Sequence, residues 1–365
     1  MLSHRSFSAL TLALTVAALG ISACSAGGDD KGSKTNTGTG STGSGAGPSG
    51  TGGTGVILNP GTGGTGVILN PGTGGSGGGS SDCAQILPVI YRDFQAYGGP
   101  GGHDDFEASA RTVLDAKNQP IKFEGWNDIG CGLVEPVLGA TGKPTAYTGA
   151  PMTNDGVKVG LGLGKLQRVV SNAQGGCWTE ANPNPTGDCM VGECVPWKFD
   201  PPQTYSIKNA TTFNQWYTTV AGVNMEVPGE LALTETMPGS GISVFDTDAF
   251  FPIDNKGFGN TPGQTHNYHF TTEIHVKFTY QAMQTFTFRG DDDLWIFVNG
   301  KLALDIGGQH QALKGVIDFD AQAAALGITV GSSYAMDIFH AERQTTSSNF
   351  RIETNIKCFE PVVVK

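Results

Sequence analysis

Charged residues are scarce in this chain of 365 residues, and positive charge is scarcer than negative. Only 15% of the residues are charged, with 22 Lys and Arg against 33 Asp and Glu, and the formal net charge is −11. A protein that binds nucleic acid needs a basic face to neutralise phosphates. The composition therefore predicts no nucleic-acid partner, while it is compatible both with cation binding and with ordinary solubility.

Helical periodicity is also nearly absent. Apolar residues recur at helical spacing only in Thr211–Val220. Elsewhere short apolar runs, several with period-two alternation, are separated by turns rich in Gly and Pro, which is typical of strands. We therefore predict an all-β fold, an antiparallel β-sandwich of jelly-roll-like form with long loops and one short helix. The candidate strands are Ile86–Phe94, Glu230–Thr236, Gly241–Phe245, Glu273–Tyr280, Thr285–Phe288, Leu294–Val298, Leu302–Ile306, Tyr334–His340 and Phe350–Ile356.

The N-terminal segment, residues 1–24, has the pattern of an export signal. Arg5 precedes the apolar stretch Phe7–Ile21, which is too short and too interrupted by Ser and Thr to span a membrane. The stretch ends in Ile-Ser-Ala-Cys, which resembles the bacterial lipobox. That resemblance implies lipidation of Cys24, and Ser25 after the cysteine implies the outer membrane. We expect the lipid to be the only contact of the chain with the membrane. The alternative is an ordinary signal peptide cut nearby.

A low-complexity tether follows at residues 25–81. It is dominated by Gly, Ser and Thr, and cannot bury enough apolar surface to fold. Within it the pentapeptide Val56–Pro60 recurs as Val67–Pro71, a period of eleven residues. Two copies are too few for a solenoid, and we interpret them as a duplication within a disordered linker. Residues 82–365 are then predicted to form a single domain on the outside of the cell.

The chain has seven cysteines, and six remain when Cys24 is assigned to the lipid. An even number in an exported protein predicts up to three disulfides, for which about fifteen pairings are possible. A bond between the first and last of the six would join the ends of the domain, but the spacing does not fix it. Zinc is the rival explanation, and the spacings are not those of zinc fingers. The six are Cys83, Cys131, Cys177, Cys189, Cys194 and Cys358.

Three consecutive aspartates, Asp291, Asp292 and Asp293, lie between two candidate strands, and Asn299-Gly300 further on predicts a hairpin turn. Adjacent carboxylates repel one another, so a buried loop of this kind needs a cation or a set of hydrogen-bond donors. Oxygen ligands suit calcium, which takes about six to eight of them. The pattern predicts a calcium site at the tip of the sandwich; the alternative is a solvated acidic loop. His310, just past the hairpin, lies within reach of this loop.

Five stretches share the features of one domain family: FNQWY (Phe213–Tyr217), the turn Phe251–Asp254 with Gly257–Gly259, HNYHFTTEIHVKFTY (His266–Tyr280), FTFRGDDDLWIFVNGKLALDIGGQH (Phe286–His310) and HAERQTTSSNFRIET (His340–Thr354). Together they resemble the fibro-slime domain family. The resemblance implies a protective-antigen-type β-sandwich, as in flocculin adhesins, in which two adjacent aspartates joined by a cis peptide hold a calcium ion that also touches sugar hydroxyls.

Carried onto this sequence, the resemblance places the aspartate pair on Asp292 and Asp293, because six residues then separate the pair from the turn glycine Gly300. The competing register is Asp291-Asp292. An asparagine from a later loop is also implied, and Asn349 fits this role better than Asn299. The implied metal ligands are Asp291, Asp292, Asp293 and Asn349, and the implied ligand-binding residues are Asp292, Asp293, Asn299 and His310.

The function implied is a calcium-dependent carbohydrate-binding or adhesive module on a cell-surface lipoprotein. Its partners would be glycans or extracellular matrix polymers. The alternative is a structural component of extracellular slime, in which calcium only stiffens the loop and the contacts are between proteins. We expect no enzymatic activity, because adjacent aspartates tied to one metal cannot act as a glycosidase pair about 5–10 Å apart.

Overall fold

The computed structural model describes residues 85–107, 113–114, 120–121, 130–147, 166–168, 177, 186–192, 194–196 and 207–362. These residues belong to one compact unit, Thr65–Lys365. The predicted export signal, Cys24, the tether with its duplication and Cys83 lie outside the described residues. In the part of the chain that is described, no helix has the length and apolar character needed to cross a bilayer.

The described secondary structure is nearly all strand. In chain order the elements are β1 (Ile86–Phe94), β2 (Val113–Leu114), β3 (Pro120–Ile121), β4 (Gly130–Cys131), β5 (Leu166–Arg168), β6 (Cys194–Pro196), α1 (Ala210–Phe213), β7 (Asn224–Ala232), β8 (Thr234–Glu235), β9 (Ser243–Thr247), β10 (Phe270–Thr279), β11 (Thr285–Gly290), β12 (Asp293–Val298), β13 (Lys301–Ile306), β14 (Leu313–Asp318), α2 (Phe319–Leu326), β15 (Ser333–Glu342), β16 (Phe350–Thr354) and β17 (Glu360–Pro361).

Two large antiparallel sheets dominate the fold. The first has seven strands in the order β13-β12-β15-β10-β1-β7, with β17 also paired to β10. The second has five strands in the order β14-β11-β16-β9-β8. Strands β2 and β3 pair with each other, and β4, β5 and β6 form a small third sheet. The prediction of an antiparallel all-β sandwich is confirmed.

The main core lies between the two large sheets, and strand alternation explains which residues enter it. On β12, for example, Leu294 and Ile296 belong to this core, while Trp295 and Phe297 point to the other face of the seven-stranded sheet. From the five-stranded sheet, Phe288 contributes to the same core. Because successive side chains of a strand point to opposite faces, one face of each strand fills the sandwich.

The outer face of the seven-stranded sheet carries a second core, so this sheet is buried on both sides. Trp295 and Phe297 pack there with Trp216 and with Phe106 from the loop after β1. Trp216, Trp295 and Phe297 are each 0% exposed. These aromatic rings are therefore part of the core and are not available as stacking platforms for a sugar.

All nine predicted strands overlap observed strands, and the predicted short helix overlaps α1. The predicted helix Thr211–Val220 is only the single turn α1, and a second helix, α2, was not anticipated. Its signals are present in the sequence. Asp318 accepts a hydrogen bond from Ala321 N as the N-cap, and Gly327 ends the helix in the left-handed conformation with φ 71°.

The turn Asn299-Gly300 joins β12 to β13 as predicted. Both residues have positive φ, 53° and 71°, which is the conformation of a two-residue hairpin turn of type I′. By contrast, β11 and β12 belong to different sheets. The two residues between them, Asp291 and Asp292, therefore lie where the chain crosses from one layer of the sandwich to the other.

Candidate functional site

The acidic loop is buried even though it contains three carboxylates. Asp291, Asp292 and Asp293 are 4%, 5% and 0% exposed. The peptide bond between Asp291 and Asp292 is cis. Such burial excludes the solvated acidic loop that was the alternative prediction, and the partners of each carboxylate show what the loop is built to do.

Asp291 is held by one residue from the loop before β16. Its Oδ1 accepts a hydrogen bond from Asn349 N at 2.5 Å, and its Oδ2 accepts one from Asn349 Nδ2 at 2.8 Å. The carbonyl oxygen of Asp291 accepts a hydrogen bond from His340 Nε2 at 2.8 Å. Burial lowers the pKa of His340 to about 4, so this imidazole is neutral at neutral pH. Asn349 is thus brought to the acidic loop as predicted.

Asp292 is held by backbone donors from two other segments. Its Oδ1 accepts from His310 N at 3.2 Å, and its Oδ2 accepts from Arg343 N at 3.0 Å. His310 follows β13 and Arg343 follows β15, so the carboxylate ties together the ends of two strands of the seven-stranded sheet. The predicted proximity of His310 to the acidic loop is correct.

Asp293 has a different role from its two neighbours. Its Oδ2 accepts from Arg343 Nε at 2.5 Å and its Oδ1 accepts from Gly308 N at 2.7 Å. The side chains of Asp293 and Arg343 are both 0% exposed, and the guanidinium lies 4.8 Å from the ring centroid of Trp216. The carboxylate of Asp293 therefore forms a buried ion pair with Arg343.

The predicted register of the aspartate pair is therefore corrected. The resemblance was placed on Asp292 and Asp293, with the spacing to Gly300 as the reason. In the structure Asp291 and Asp292 flank the cis peptide and line a cavity, whereas Asp293 is the first residue of β12 and is paired with Arg343. Spacing to the turn could not show this, because the arginine that occupies Asp293 is fifty residues away in sequence.

The cavity beside Asp291 and Asp292 has a volume of about 550 Å³ and a largely polar wall. Hydroxyl and amide side chains predominate, and Arg289 supplies a positive charge at the rim. None of the described residues that line it is Phe, Tyr or Trp. The lining residues are Gly187, Cys189, Arg289, Asp291, Asp292, His310, Gln311, Ala312, Gln344, Thr345, Thr346, Ser347 and Asn349.

The site has an excess of buried negative charge. Burial raises the pKa of Asp291 to about 6, although hydrogen bonds from Asn349 oppose the shift. Burial, with the neighbouring Asp291 and Asp293, also raises the pKa of Asp292 well above its ordinary value, against the opposing effect of Arg343. Within the described chain, Oε2 of the buried Glu342 has no hydrogen-bond partner.

A hard cation fits this donor set. Asp291, Asp292 and Asn349 present oxygen atoms of the kind that calcium prefers. Side chains alone do not complete a site, because no group of three or more His, Cys, Asp or Glu among the described residues is placed to share one ion. The amide of Asn349, backbone carbonyls and oxygen atoms of a bound molecule would have to supply the other ligands.

Asn299 does not reach the site, which corrects the prediction that it binds ligand. Its side chain donates to the carbonyl oxygens of Leu326 and Gly327, at 3.0 and 3.4 Å, at the end of α2. In the described structure the side chain of Asn299 therefore joins the hairpin turn to the end of α2.

Cysteines act as cross-links, and one of them borders the cavity. Cys177 and Cys189 form a disulfide with each other. Cys131 and Cys358 each take part in a disulfide as well. Near Cys189 the chain docks on β14, where Lys314 N donates to the carbonyl of Cys189 at 2.7 Å. The side chain of Cys194 lies outside what the structure describes.

Several residues at the site were not anticipated from the sequence. Arg343, Gln344 and Thr345 belong to the stretch HAERQTTSSNFRIET, from which only Asn349 was assigned a role. Their position directly after a buried strand was the available signal. Glu107, which contacts Gln344 and Thr345, gave no signal, because its segment has no regular pattern.

Comparison with known proteins finds a domain family and several relatives that are similar to part of this chain. Residues 245–358 match the model of the PA14 domain. Protein psiD of Dictyostelium discoideum is 32% identical over 282 residues, which cover 74% of this chain and 45% of psiD. Protein psiC of the same organism is 39% identical over 165 residues, which cover 43% of this chain and 31% of psiC. The chain thus spans less than half the length of these relatives.

Among solved structures, the chain is similar to the PA14 sugar-binding domain from RTX adhesin. The two are 16% identical, the match covers 33% of this chain and 75% of that chain, and the TM-score is 0.20. Superposition at this level carries no argument about a ligand. On the evidence of the family model and the relatives, the chain carries a PA14 domain and is homologous to the psi proteins of Dictyostelium discoideum.

Proposed function

We propose that this chain is a cell-surface lipoprotein whose β-sandwich binds calcium at Asp291, Asp292 and Asn349 and uses the bound ion to hold a glycan. One observation carries the proposal: two buried carboxylates, whose pKa values burial raises, border a polar cavity of about 550 Å³. The fibro-slime resemblance of the sequence and the PA14 match both support it.

Calcium is favoured over other ions by the chemistry of the donors. Carboxylate, amide and carbonyl oxygens suit a hard cation, and calcium accepts irregular arrangements with ligands from several loops. Asp291 and Asp292 would hold the ion and Asn349 would complete their side of it. When bound, the ion would supply a positive charge that neutralises the two carboxylates and can attract hydroxyl oxygens of a ligand.

A glycan is favoured by the wall of the cavity. Thr345, Thr346 and Ser347 supply hydroxyl groups, and Gln311 and Gln344 supply amides, so the wall carries both hydrogen-bond donors and acceptors. A polyhydroxylated ligand matches such a wall better than an apolar one does. The aromatic residues Trp216 and Trp295 are fully buried, so recognition would rest on hydrogen bonds and on the ion.

The experiment is thermal unfolding of the purified full chain in EDTA, in calcium, and in calcium with a panel of glycans. Calcium at about 100 times its Kd would stabilise the folded state by about 2.7 kcal/mol. At about 2–4 °C per kcal/mol this is a rise in Tm of roughly 5–10 °C. Asp291→Asn and Asp292→Asn should abolish the rise, and the exposed Glu230→Gln should retain it. A Tm that is the same in EDTA and in calcium would refute the cation site.

The second candidate, a structural slime component, is favoured by a specific observation. Asp292 joins the ends of β13 and β15, and Asp291 is joined to the loop before β16, so an ion here would brace both sheets without any sugar. A calcium-dependent Tm with no further shift for any glycan would select this function. A steady release of reducing ends from the glycan panel would contradict our inference that the domain is not an enzyme.

The cell-surface assignment rests on the sequence alone. We infer lipidation of Cys24 from the lipobox-like Ile-Ser-Ala-Cys and the tether that follows it. Metabolic labelling with palmitate in a bacterial host should label the wild-type chain and leave Cys24→Ala unlabelled. Equal labelling, or none in either chain, would overturn the lipid anchor and leave the cation site unaffected.

A further inference from the structure

Among the described residues outside the PA14-matched segment, Glu107 holds two neighbouring residues of the polar wall through its carboxylate. Its Oε1 accepts from Gln344 Nε2 at 2.6 Å and from Thr345 Oγ1 at 3.3 Å. Its Oε2 accepts from Thr345 N at 3.2 Å and is hydrogen-bonded to His269 Nε2 at 3.0 Å. Both Gln344 and Thr345 line the cavity, whereas Glu107 does not.

Glu107 is itself fixed in place by its backbone. Its N–H donates to the carbonyl of Arg343 at 2.7 Å, and the residue has a positive φ of 56°. Two residues earlier, Asp105 accepts from Trp216 Nε1 at 3.1 Å, and its carbonyl accepts from Arg343 Nη1 at 3.1 Å. The intervening Phe106 is 0% exposed. The carboxylate therefore acts from a rigid base.

Glu107 is well suited to order the wall. Its side chain is 21% exposed, so its hydrogen bonds are partly shielded from water. Burial would raise its pKa, but hydrogen bonds from His269 and Thr345 outweigh burial and lower the pKa. The group is therefore a charged acceptor at neutral pH, and hydrogen bonds to a charged acceptor are stronger than those between neutral groups.

We propose that Glu107 is a positioning residue that presents Gln344 and Thr345 to a glycan in the cavity without contributing to the cation site. This inference rests on the proposed glycan-binding function. It places a determinant of ligand affinity in the loop after β1, more than a hundred residues before the start of the PA14-matched segment at residue 245.

The variant that tests it is Glu107→Gln in the full chain. A glutamine keeps the size of the side chain, but its NH₂ group would face the donors of Gln344 or Thr345 in place of an acceptor. We expect the amide of Thr345 to exchange hydrogen about tenfold faster or more, because its acceptor is lost or shared. Calcium affinity measured by titration with calcium alone should stay within about twofold. Glu230→Gln, on the exposed strand β7, is the matched control.

Sugar binding is measured on the same proteins with methyl α-mannoside, lactose, chitobiose and a galacturonate oligomer. Glu107→Gln should weaken binding of any sugar held by the wild type about tenfold or more, with calcium affinity unchanged. Unchanged exchange at Thr345, or equal losses of calcium and sugar affinity, would overturn the proposal. If the wild type binds none of the four sugars, glycan binding itself is in question, and the exchange rate and calcium titration alone decide the positioning role. Gln344→Leu removes one of these bonds from the opposite side should Glu107→Gln fail to fold, and it should also speed exchange at Thr345.

Discussion

Replacing Arg343 with methionine should be among the most destabilising single changes at this site. The side chains of Arg343 and Asp293 are both fully buried, and the ion pair between them is direct. Methionine keeps most of the apolar length of the arginine but removes the charge that compensates Asp293. The carboxylate would then stay buried beside Asp291 and Asp292, with only Gly308 N as its hydrogen-bond donor among the contacts described above.

The expected size follows from this burial. Removing one partner of a buried ion pair costs about 3–5 kcal/mol, because the remaining charge is desolvated and unpaired. Arg343 also loses its contact with the ring of Trp216 and its hydrogen bond to the carbonyl of Asp105. A folded domain is stable by about 5–15 kcal/mol, so the variant should lose about a fifth of its stability or more.

Guanidinium unfolding followed by tryptophan fluorescence measures this loss, since Trp216 and Trp295 are buried in the native state. With disulfides intact and EDTA present, the midpoint should fall by about 1 M at an unchanged slope. Asp293→Asn and the double variant complete a mutant cycle. The double variant should lose less than the sum of the two single losses, because the second change removes the charge left unpaired by the first. A loss below about 1 kcal/mol for Arg343→Met, or strict additivity, would refute the assignment of Asp293 to an ion pair.

Two further outcomes can be measured by unfolding. Burial would lower the pKa of His275, but hydrogen bonds to Asp337 and Glu273 outweigh it and raise the pKa. The contribution of the imidazolium to stability is therefore complete below the unfolded pKa of about 6.5 and is lost as pH rises through the folded pKa. Between about pH 5 and 9 the Tm of the wild type should fall as the pH rises, and the Tm of His275→Asn should fall less. The same fall of Tm with pH in both proteins would contradict this. Cys189→Ser opens the disulfide to Cys177, which spans a sequence separation of 12, and should cost about 3 kcal/mol in a denaturant titration. A cost near zero would show that this part of the chain is ordered without the cross-link.

The strands and the hairpin could be predicted because their signals are local. Alternating apolar residues in β10 and the Asn299-Gly300 pair follow directly from strand and turn geometry. Helix α2 was not predicted, although Asp318 at its start and Gly327 at its end are typical capping residues. The stretch between them is short and rich in Ala, and it has no amphipathic pattern. Local signals therefore identified most of the strands of the sandwich. The capping signals of α2 were also present in the sequence but were not recognised.

The acidic loop could be found from sequence, but the roles of its three aspartates could not. Asp291, Asp292 and Asp293 are chemically identical and consecutive, and they differ only in which distant residue faces each one. Asn349 donates a hydrogen bond to Asp291, and Arg343 donates one to Asp293. Neither contact can be read from periodicity or spacing in the sequence. The register of the aspartate pair therefore could not be determined from its distance to Gly300.

The same argument explains why Glu107 is invisible in the sequence and central in the structure. The seven-stranded sheet needs its outer face covered, and the loop after β1 covers it with Phe106 and Asp105, beside Trp216. Glu107, the residue after Phe106, contacts Gln344 and Thr345, which follow β15 and line the cavity. The covering layer and the wall of the cavity are therefore joined by direct contacts. Under the proposed function, a change in the layer should alter sugar binding even where Asp291, Asp292 and Asn349 are unchanged.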